Sequence, residues 1–596
     1  MNIKIKEIQK ILYQMGGILN RKQKKRCYGM FVLTVIGALL ETVGVSMIIP
    51  FVQVMLDTKV VFENEYLRPI IVFFHIEQPG QLVFFIGLLL ITIYIVKNLY
   101  LTFLSYIANK FQTDIQKELS SQMMSIYIER PYQYFLSENM GRIVRGINAD
   151  IGGTYNILNR IFKIFAEVLS IFMISIFIFL TDWSLALGVI CLAALSFWIV
   201  TLLFHKRLQK YGREQRECEA NLNQTLQHAF GGIKEVKVLR KSQFFAQKFN
   251  TIFEKKNKAL VIQNVAIETP TYFIEAICVC GLIAIICIRS IMGANLATFI
   301  PQLSAFAVAA FRILPSMARI TGSYNAAIFS LPSLEATYHN FNEVEQLHKE
   351  EKNDDNNIYE NNEKLCFQSS ITIEDISWQY PDSDKKVIDE MNLSISKGSA
   401  VAIIGESGAG KTTLMDILLG LYQPQTGSIK VDGIDIKTVP AEWSKIIGYV
   451  PQMVFLMDDT IRNNIAFGVE PEKINDDKVW NVIKQAQLYD VIKELPDGLD
   501  TEIGERGIRF SGGQRQRLAI ARALYYDPKI LILDEATAAL DGDTESAVMD
   551  AVNCLKGKKT LIIVAHRITT IRQCGEIYEV INGKLVKRDR RDFFDV

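Results

Sequence analysis

The sequence predicts a chain in two unlike parts: an α-helical domain with six membrane spans, then an α/β domain built around a phosphate-binding loop. Three observations predict it. The apolar excess is confined, as long segments, to the first 320 of 596 residues, the pattern of membrane-embedded helices. A glycine-rich turn at 405–413 lies between a strand-like apolar run and a helical pattern. A further apolar run, 530–533, ends in two carboxylates, Asp534 and Glu535. The implied division is a transmembrane domain at 1–340, a linker at 341–370 and a second domain at 371–596.

Composition narrows the function class. Hydrophobic residues make up 49% of the chain. Mean hydropathy is +0.16, high for a soluble enzyme. Net charge is +1, which gives no global basic field suited to a nucleic acid partner. Nine cysteines show no metal-ligand spacing, and Cys191, Cys278, Cys280 and Cys287 fall in apolar segments, so free thiols are expected. Basic residues in 1–28 precede an apolar run at 30–56 that is too long for a signal peptide.

The expected spans are 29–54, 82–107, 157–181, 183–205, 268–290 and 297–317. Lys22, Lys24, Lys25 and Arg26 beside the first span put the N-terminus inside. The loop 55–81, richer in acids than bases, lies outside, as do the short turns near Asp182 and Gly293. The basic stretches 108–156 and 206–267 lie inside and read as helices that run on into the cytosol and fold back. Within them, a glycine break stands beside a short polar helix at 137–150 and again at 231–237. These are either elbows that dock on a soluble domain or solvated loops. The outer segment 66–76 is too short to span; it either lies at the outer membrane surface or caps the other helices. Residues 342–369 are polar and read as a solvated linker.

The second domain carries its chemistry at strand ends. Gly405, Glu406, Ser407, Gly408, Ala409, Gly410, Lys411, Thr412 and Thr413 form the turn, between strand 400–404 and helix 414–421. Its glycines let backbone N–H groups curl around a polyphosphate, and the helix N-terminus adds partial positive charge. Lys411 reaches the β- and γ-phosphates, and the Thr412 hydroxyl ligates Mg²⁺, which makes this an α/β P-loop NTPase domain using ATP and Mg²⁺. Tyr380, one hairpin earlier, either stacks on adenine or is an ordinary strand tyrosine. Gln452 ends a strand with an amide in reach of Mg²⁺ or the attacking water. Ser511, Gly512, Gly513 and Gln514 open a helix at a second anion-binding turn. Asp534 suits the Mg²⁺ shell, and Glu535 is placed to orient or deprotonate water. His566 ends another apolar strand, in reach of a γ-phosphate.

This ordered set resembles the nucleotide-binding domain of ABC transporters, and with the six spans the resemblance to an exporter half-transporter covers the whole chain. The signature turn is led here by Phe510 instead of leucine, and Ala538 stands in the stretch ending at Asp541 where serine is usual. The stretch 501–507 resembles the one that meets the coupling helices in exporters. The resemblance implies that the two elbows are those coupling helices. It also implies a dimer, each ATP held between one chain's phosphate loop and the other's signature turn. Every catalytic position holds a competent residue, so a homodimer is the simplest expectation.

Basic residues inside the spans bear on what is moved. Arg312 and Arg319 lie seven apart, on nearly one helix face, and Lys97 lies in the second span. They either form a positive belt suited to phosphate or pyrophosphate, or serve structure, Glu275 pairing with Arg312 or Arg319 and Arg319 anchoring the cytosolic end of its span. The stretch ETVGVSMIIP at 41–50, with Phe311, Arg312, Ile313, Leu314, Pro315, Ser316, Arg319 and Ile320, resembles the lipid-linked oligosaccharide flippases of bacterial N-glycosylation. Those carry an arginine directly after the proline opening the fifth span; here Thr271 follows Pro270. The resemblance implies an inner-membrane flippase of a polyprenyl-pyrophosphate-linked glycan, with the nucleotide domain and both termini cytoplasmic. A multidrug or simple lipid exporter is the alternative, and a peptide exporter is less expected, since no protease domain precedes the first span.

Overall fold

Backbone N–H and C=O groups in apolar surroundings must find partners within their own segment, and helices supply them. The computed structural model describes residues 2–47, 51, 79–181, 183–291, 296–355, 365–381, 383, 385–504, 507–536, 542–565 and 567–594. They fall into two units, Met1–Arg130 with Tyr134–Glu350, and Pro131–Gln133 with Glu351–Val596.

The first unit is helical. Its long elements are α1 (Asn2–Ile18), α2 (Arg21–Ser46), α3 (Pro79–Ile128), α4 (Ile151–Thr181), α5 (Trp183–Gly231), α6 (Ser242–Ile291) and α7 (Leu296–Asp355). Each expected span begins in, or lies within, one of α2–α7. Among the described residues, Arg21–Gly44 and Val83–Ile128 are long and apolar enough to cross a membrane. In the second of these only 6% of the apolar window is buried. Phe84, Leu88, Ile91, Leu99 and Phe103 face outward, the reverse of a water-soluble helix. Pro270 sits inside α6 without ending it. The outer segment 66–76 and the turns near 182 and 293 lie outside the described residues.

Where the helices leave the apolar zone they pack closely. A Cβ on Gly212 would meet the Phe329 carbonyl, and one on Gly322 the Ile267 carbonyl, so glycine lets these backbones touch. Asn325 donates to the Ala266 carbonyl at 2.7 Å. α1 buries Ile11, Met15 and Ile18 in one cluster with Ile115, Leu119 and Met123 of α3 and Leu331 and Leu334 of α7. The expected glycine elbows are short helices. Met140–Arg145 is capped by Asn139, which accepts from the Gly141 N–H, and Ile233–Val238 follows Gly232. A further short helix, Tyr132–Ser137, precedes the first elbow. Its first two residues, Tyr132 and Gln133, group with the second unit together with Pro131 before them, earlier in the chain than the stretch 137–150 singled out from sequence. After Arg145 one π-helical turn, Gly146–Asp150, leads into α4. Asp150, 1% exposed, is held there by Arg216 at 2.7 and 3.0 Å and by Arg145 at 3.3 Å.

α7 continues as helix to Asp355, into the stretch read as linker. Leu365 and Phe367, also in that stretch, are buried in the core of the second unit. Apolar residues in a polar-looking segment were the available signal.

The second unit has two sheets. One runs β2-β1-β4-β5, antiparallel, from β1 (Ser370–Gln379), β2 (Lys386–Ser396), β4 (Thr426–Val431) and β5 (Ile434–Asp435). The other runs β10-β9-β3-β8-β7-β6. Its members are β3 (Ala400–Gly405), β6 (Ile447–Val450), β7 (Ile530–Asp534), β8 (Thr560–Val564), β9 (Glu576–Ile581) and β10 (Lys584–Arg588). All are parallel except the edge pair β9–β10. The runs of β3, β7 and β8 are buried almost throughout, as expected for parallel strands covered on both faces.

A bulge in β1 matters for the site. Ile371 and Ile373 are buried before it, and Ile376 and Trp378 after it. The register shift between Ile373 and Ile376 changes the phase of burial, with Asp375 at φ +48°. Gly427 lies against the bulge, where a Cβ would come within 2.3 Å of the Glu374 carbonyl.

Candidate functional site

In a parallel sheet, ligands meet the carboxyl ends of the strands. Here those ends belong to β3, β8, β7 and β6, in that spatial order. β3 ends at Gly405 and β7 at Asp534. β6 ends two residues before Gln452, and β8 two residues before His566. The topology thus brings to one sheet edge the ends of four strands far apart in sequence.

The phosphate loop spans Glu406 to Gly410 and feeds α8 (Lys411–Leu418). Gly410 caps α8 at φ +107°, and a Cβ there would meet the Val387 carbonyl at 2.9 Å. Gly408 has φ +82° and nothing within 4 Å of a Cβ built on it, so the middle of the loop faces open space. This is a cradle in which backbone N–H groups are accessible to an anion. Lys411 is buried and donates to the carbonyls of Gly405 at 2.8 Å and Glu406 at 2.9 Å. Burial lowers its pKa, and the charges of Glu535 and Asp534 oppose that shift. Thr412 is exposed and Thr413 buried.

Across the edge, Gln452 Nε2 donates to Glu535 Oε2 at 2.6 Å. Glu535 sits at φ +46°, in the left-handed region, and its N–H donates to the Val564 carbonyl at 3.1 Å. A glutamate in that region signals a backbone held by its surroundings, here at the end of a buried strand. Asp534 is 6% exposed. Asp416, one helical turn beyond Thr412, is pushed up to about 6 by burial first and by the Asp534 charge second. Its i+4 spacing from Thr412 was a signal the sequence reading did not use.

Ser511 caps α9 (Gly512–Tyr525) in a reciprocal pair with Gln514: the Gln514 N–H donates to Ser511 Oγ at 3.3 Å, and the Ser511 N–H to Gln514 Oε1 at 2.8 Å. Gly512 and Gly513 form the first turn. Gln516 Nε2 donates to the Gln452 carbonyl at 3.0 Å, which ties α9 to the carboxylate edge of the same chain. Tyr380 follows β1 and is 41% exposed. Its hydroxyl lies 3.4 Å from Thr413 Oγ1, which brings the expected base-stacking ring beside the phosphate loop. His566, Glu505, Arg506 and the stretch 537–541 lie outside the described residues.

In the first unit, Lys97 is 9% exposed, with its ammonium 4.2 Å from the centre of the Tyr94 ring. Arg319 grips Glu167 of α4 at 2.5 and 3.0 Å and also donates to Ser316 Oγ at 3.0 Å. From sequence, Glu275 can pair with either Arg312 or Arg319; the acid that meets Arg319 is instead Glu167, within the third expected span, where no spacing rule points. The Arg312 side chain lies outside what the structure describes.

Comparison with known proteins assigns both units. Residues 388–538 match the family described as ABC transporter, and residues 29–302 the ABC transporter transmembrane region. The chain is 28% identical over 493 residues to the ATP-dependent lipid A-core flippase of Burkholderia pseudomallei, covering 81% of this chain and 79% of that one. It is 27% identical over 571 residues to the protein of the same description from Thiobacillus denitrificans, covering 94% and 92%. It is 29% identical over 503 residues to ABC transporter B family member 1 of Dictyostelium discoideum, covering 82% of this chain and 53% of that one, so it spans about half that protein's length. A bacterial Atm1-family ABC exporter with ATP bound matches at a TM-score of 0.74 over 97% of both chains; at 20% identity that likeness concerns the fold.

Proposed function

This chain belongs to the ABC transporters, as an exporter half-transporter with an ATP-hydrolysing domain that uses Mg²⁺, and from that premise we propose that it flips a polyprenyl-pyrophosphate-linked glycan across a bacterial inner membrane. The transmembrane domain has six spans, its last helix runs on to Asp355, and the nucleotide domain, whose core already includes Leu365 and Phe367, follows; this domain and both termini are cytoplasmic. Two copies assemble as a homodimer.

The edge geometry supports the following roles for the loop, Gln452 and Glu535. Gly405 and Gly410 let the loop pack against neighbouring strands, Gly408 leaves its middle open, and Lys411 turns from the loop carbonyls to the β- and γ-phosphates. Thr412, Asp534 and Gln452 would hold Mg²⁺, which supplies charge neutralisation at the phosphate oxygens. Glu535, oriented by the Gln452 amide, takes the proton of the attacking water, and His566 donates to the γ-phosphate. Tyr380 stacks on adenine. The partner's turn at 511–514 closes over the triphosphate.

The observation that carries the anionic-lipid reading is Lys97, an ammonium almost wholly removed from solvent in an apolar helix, facing an aromatic ring. With Arg312, and with Arg319 once it exchanges Glu167 for the ligand, it forms, doubled in the dimer, a belt for a pyrophosphate. The relatives named as lipid A-core flippases favour a second reading, a phosphorylated glycolipid of that kind.

Proteoliposomes distinguish these. The chain should translocate a polyprenyl-pyrophosphate oligosaccharide when ATP is supplied. Lys97→Met, Arg312→Ala and Arg319→Ala should each lower lipid-stimulated turnover about tenfold or more. Stimulation by lipid A-core alone supports the second reading. Stimulation by apolar cations, with none by either lipid, points to a drug exporter.

A further inference from the structure

Four aromatic rings in the second unit touch in sequence. Tyr132 lies 5.9 Å from Tyr422, centre to centre. Tyr422 stacks on Trp378 at 4.7 Å, with 16° between the planes. Trp378 meets Tyr380 edge-to-face at 4.4 Å. The Tyr380 hydroxyl then reaches Thr413 of α8 at 3.4 Å.

The burial along this row is not uniform. Trp378 and Tyr422 are 2% and 3% exposed, whereas Tyr132 and Tyr380 are 39% and 41% exposed. Two dry rings therefore join two wet ones. Burial, reinforced by the nearby Asp416 charge, pushes the Tyr422 phenol up to about 12, so the centre of the row stays neutral at any working pH. The backbone is shaped to make the row. Trp378 is buried beyond the bulge at Asp375, and the Tyr380 ring packs against it just past the end of β1.

We propose that Tyr132, Tyr422 and Trp378 act as positioning residues that hold the Tyr380 ring for the nucleotide base, so that the affinity for a base-bearing nucleotide depends on where Tyr132 sits. Packed rings have few alternative arrangements, and a shift at one end displaces the next. Tyr132 opens the short helix Tyr132–Ser137 and is joined to the membrane-type helix α3 by only the few residues after Ile128. A displacement of Tyr132 is thereby felt at the base, and base binding is felt at Tyr132, with equal coupling in both directions. The proposal rests on Tyr380 being the adenine platform.

The test compares a ligand with a base and one without. Binding of ATP and of inorganic tripolyphosphate, both with Mg²⁺, is measured on the full chain in nanodiscs in a Glu535→Gln background. Tyr380→Ala should weaken ATP about tenfold and leave tripolyphosphate unchanged. Tyr422→Ala and Tyr132→Ala should do the same by about three- to tenfold, and Tyr422→Phe should restore ATP binding. If Tyr380→Ala lowers both ligands equally, the adenine platform is wrong and the relay falls with it. If Tyr380→Ala behaves as expected but Tyr132→Ala leaves ATP unchanged, the platform stands and the relay is overturned. Equal weakening of both ligands by Tyr422→Ala would mean a disturbed phosphate loop, also against the relay.

Discussion

Glu535 and Asp416 show how one sheet edge sets two carboxyls apart. Glu535 accepts from Gln452 and stands at a strained backbone position beyond β7. Replacing it with glutamine keeps the shape and removes the proton acceptor. Turnover measured by phosphate release should fall about a hundred- to ten-thousandfold while ATP binding persists. Asp416 has the opposite problem, a charge raised in energy by burial and by Asp534. Its carboxyl binds a proton more tightly folded than unfolded. The associated stability is present at low pH and is lost as pH rises through about 6. In metal-free buffer Asp416→Asn should therefore melt above the natural protein at pH values above about 6, and the gain should shrink as pH falls below that. Cys574 illustrates burial acting on a thiol, pushed up to about 11. In the native protein an alkylating reagent at neutral pH should label the exposed Cys366 and Cys554 and spare Cys574 until unfolding, as peptide mapping would read directly.

At the scale of elements, the sequence spoke clearly wherever chemistry demands residues at fixed spacing. The glycine loop between strand and helix, the carboxylate pair ending β7 and the serine cap of α9 all lie where such spacing predicts. It was silent wherever a partner is supplied by the fold. Nothing in one-dimensional spacing links Glu167 to Arg319, Tyr422 to Trp378, or Asp150 to Arg216. Helix length was also only half legible, since the polar stretch after 341 continues α7 to Asp355. Two such tertiary features should be expensive to break. Gly427→Ala forces a methyl into the Asp375 bulge at φ +79°, and should lower the stability of the second unit by about 2 kcal/mol or more in a denaturant titration. Asp150→Ala leaves two guanidinium groups facing each other near the π-turn, and should cost the first unit about 3–5 kcal/mol.

For the whole molecule, the question is whether one chain completes its own site. The phosphate loop and the carboxylate edge lie on one sheet, while the cap of α9 presents Ser511 with its neighbours Gly512 and Gly513 as a second anion turn. If each ATP is shared between copies, lesions in the two halves must complement. Lys411→Ala removes the phosphate-binding ammonium. Ser511→Asp keeps an N-cap that α9 can use but turns a negative charge toward the triphosphate, so the helix persists while the site fails. Either variant alone should be inactive. Coexpressed in equal amounts, about half the dimers are mixed, and each mixed dimer has one site with both lesions and one with neither. Turnover should then return to about a quarter of the natural rate if intact sites act independently, and to less if the two sites must fire together. Chains that hydrolyse ATP alone would show no recovery at any mixing ratio. Phosphate release from the mixed preparation, with each subunit carrying a different purification tag so that mixed dimers can be isolated, reads the outcome directly.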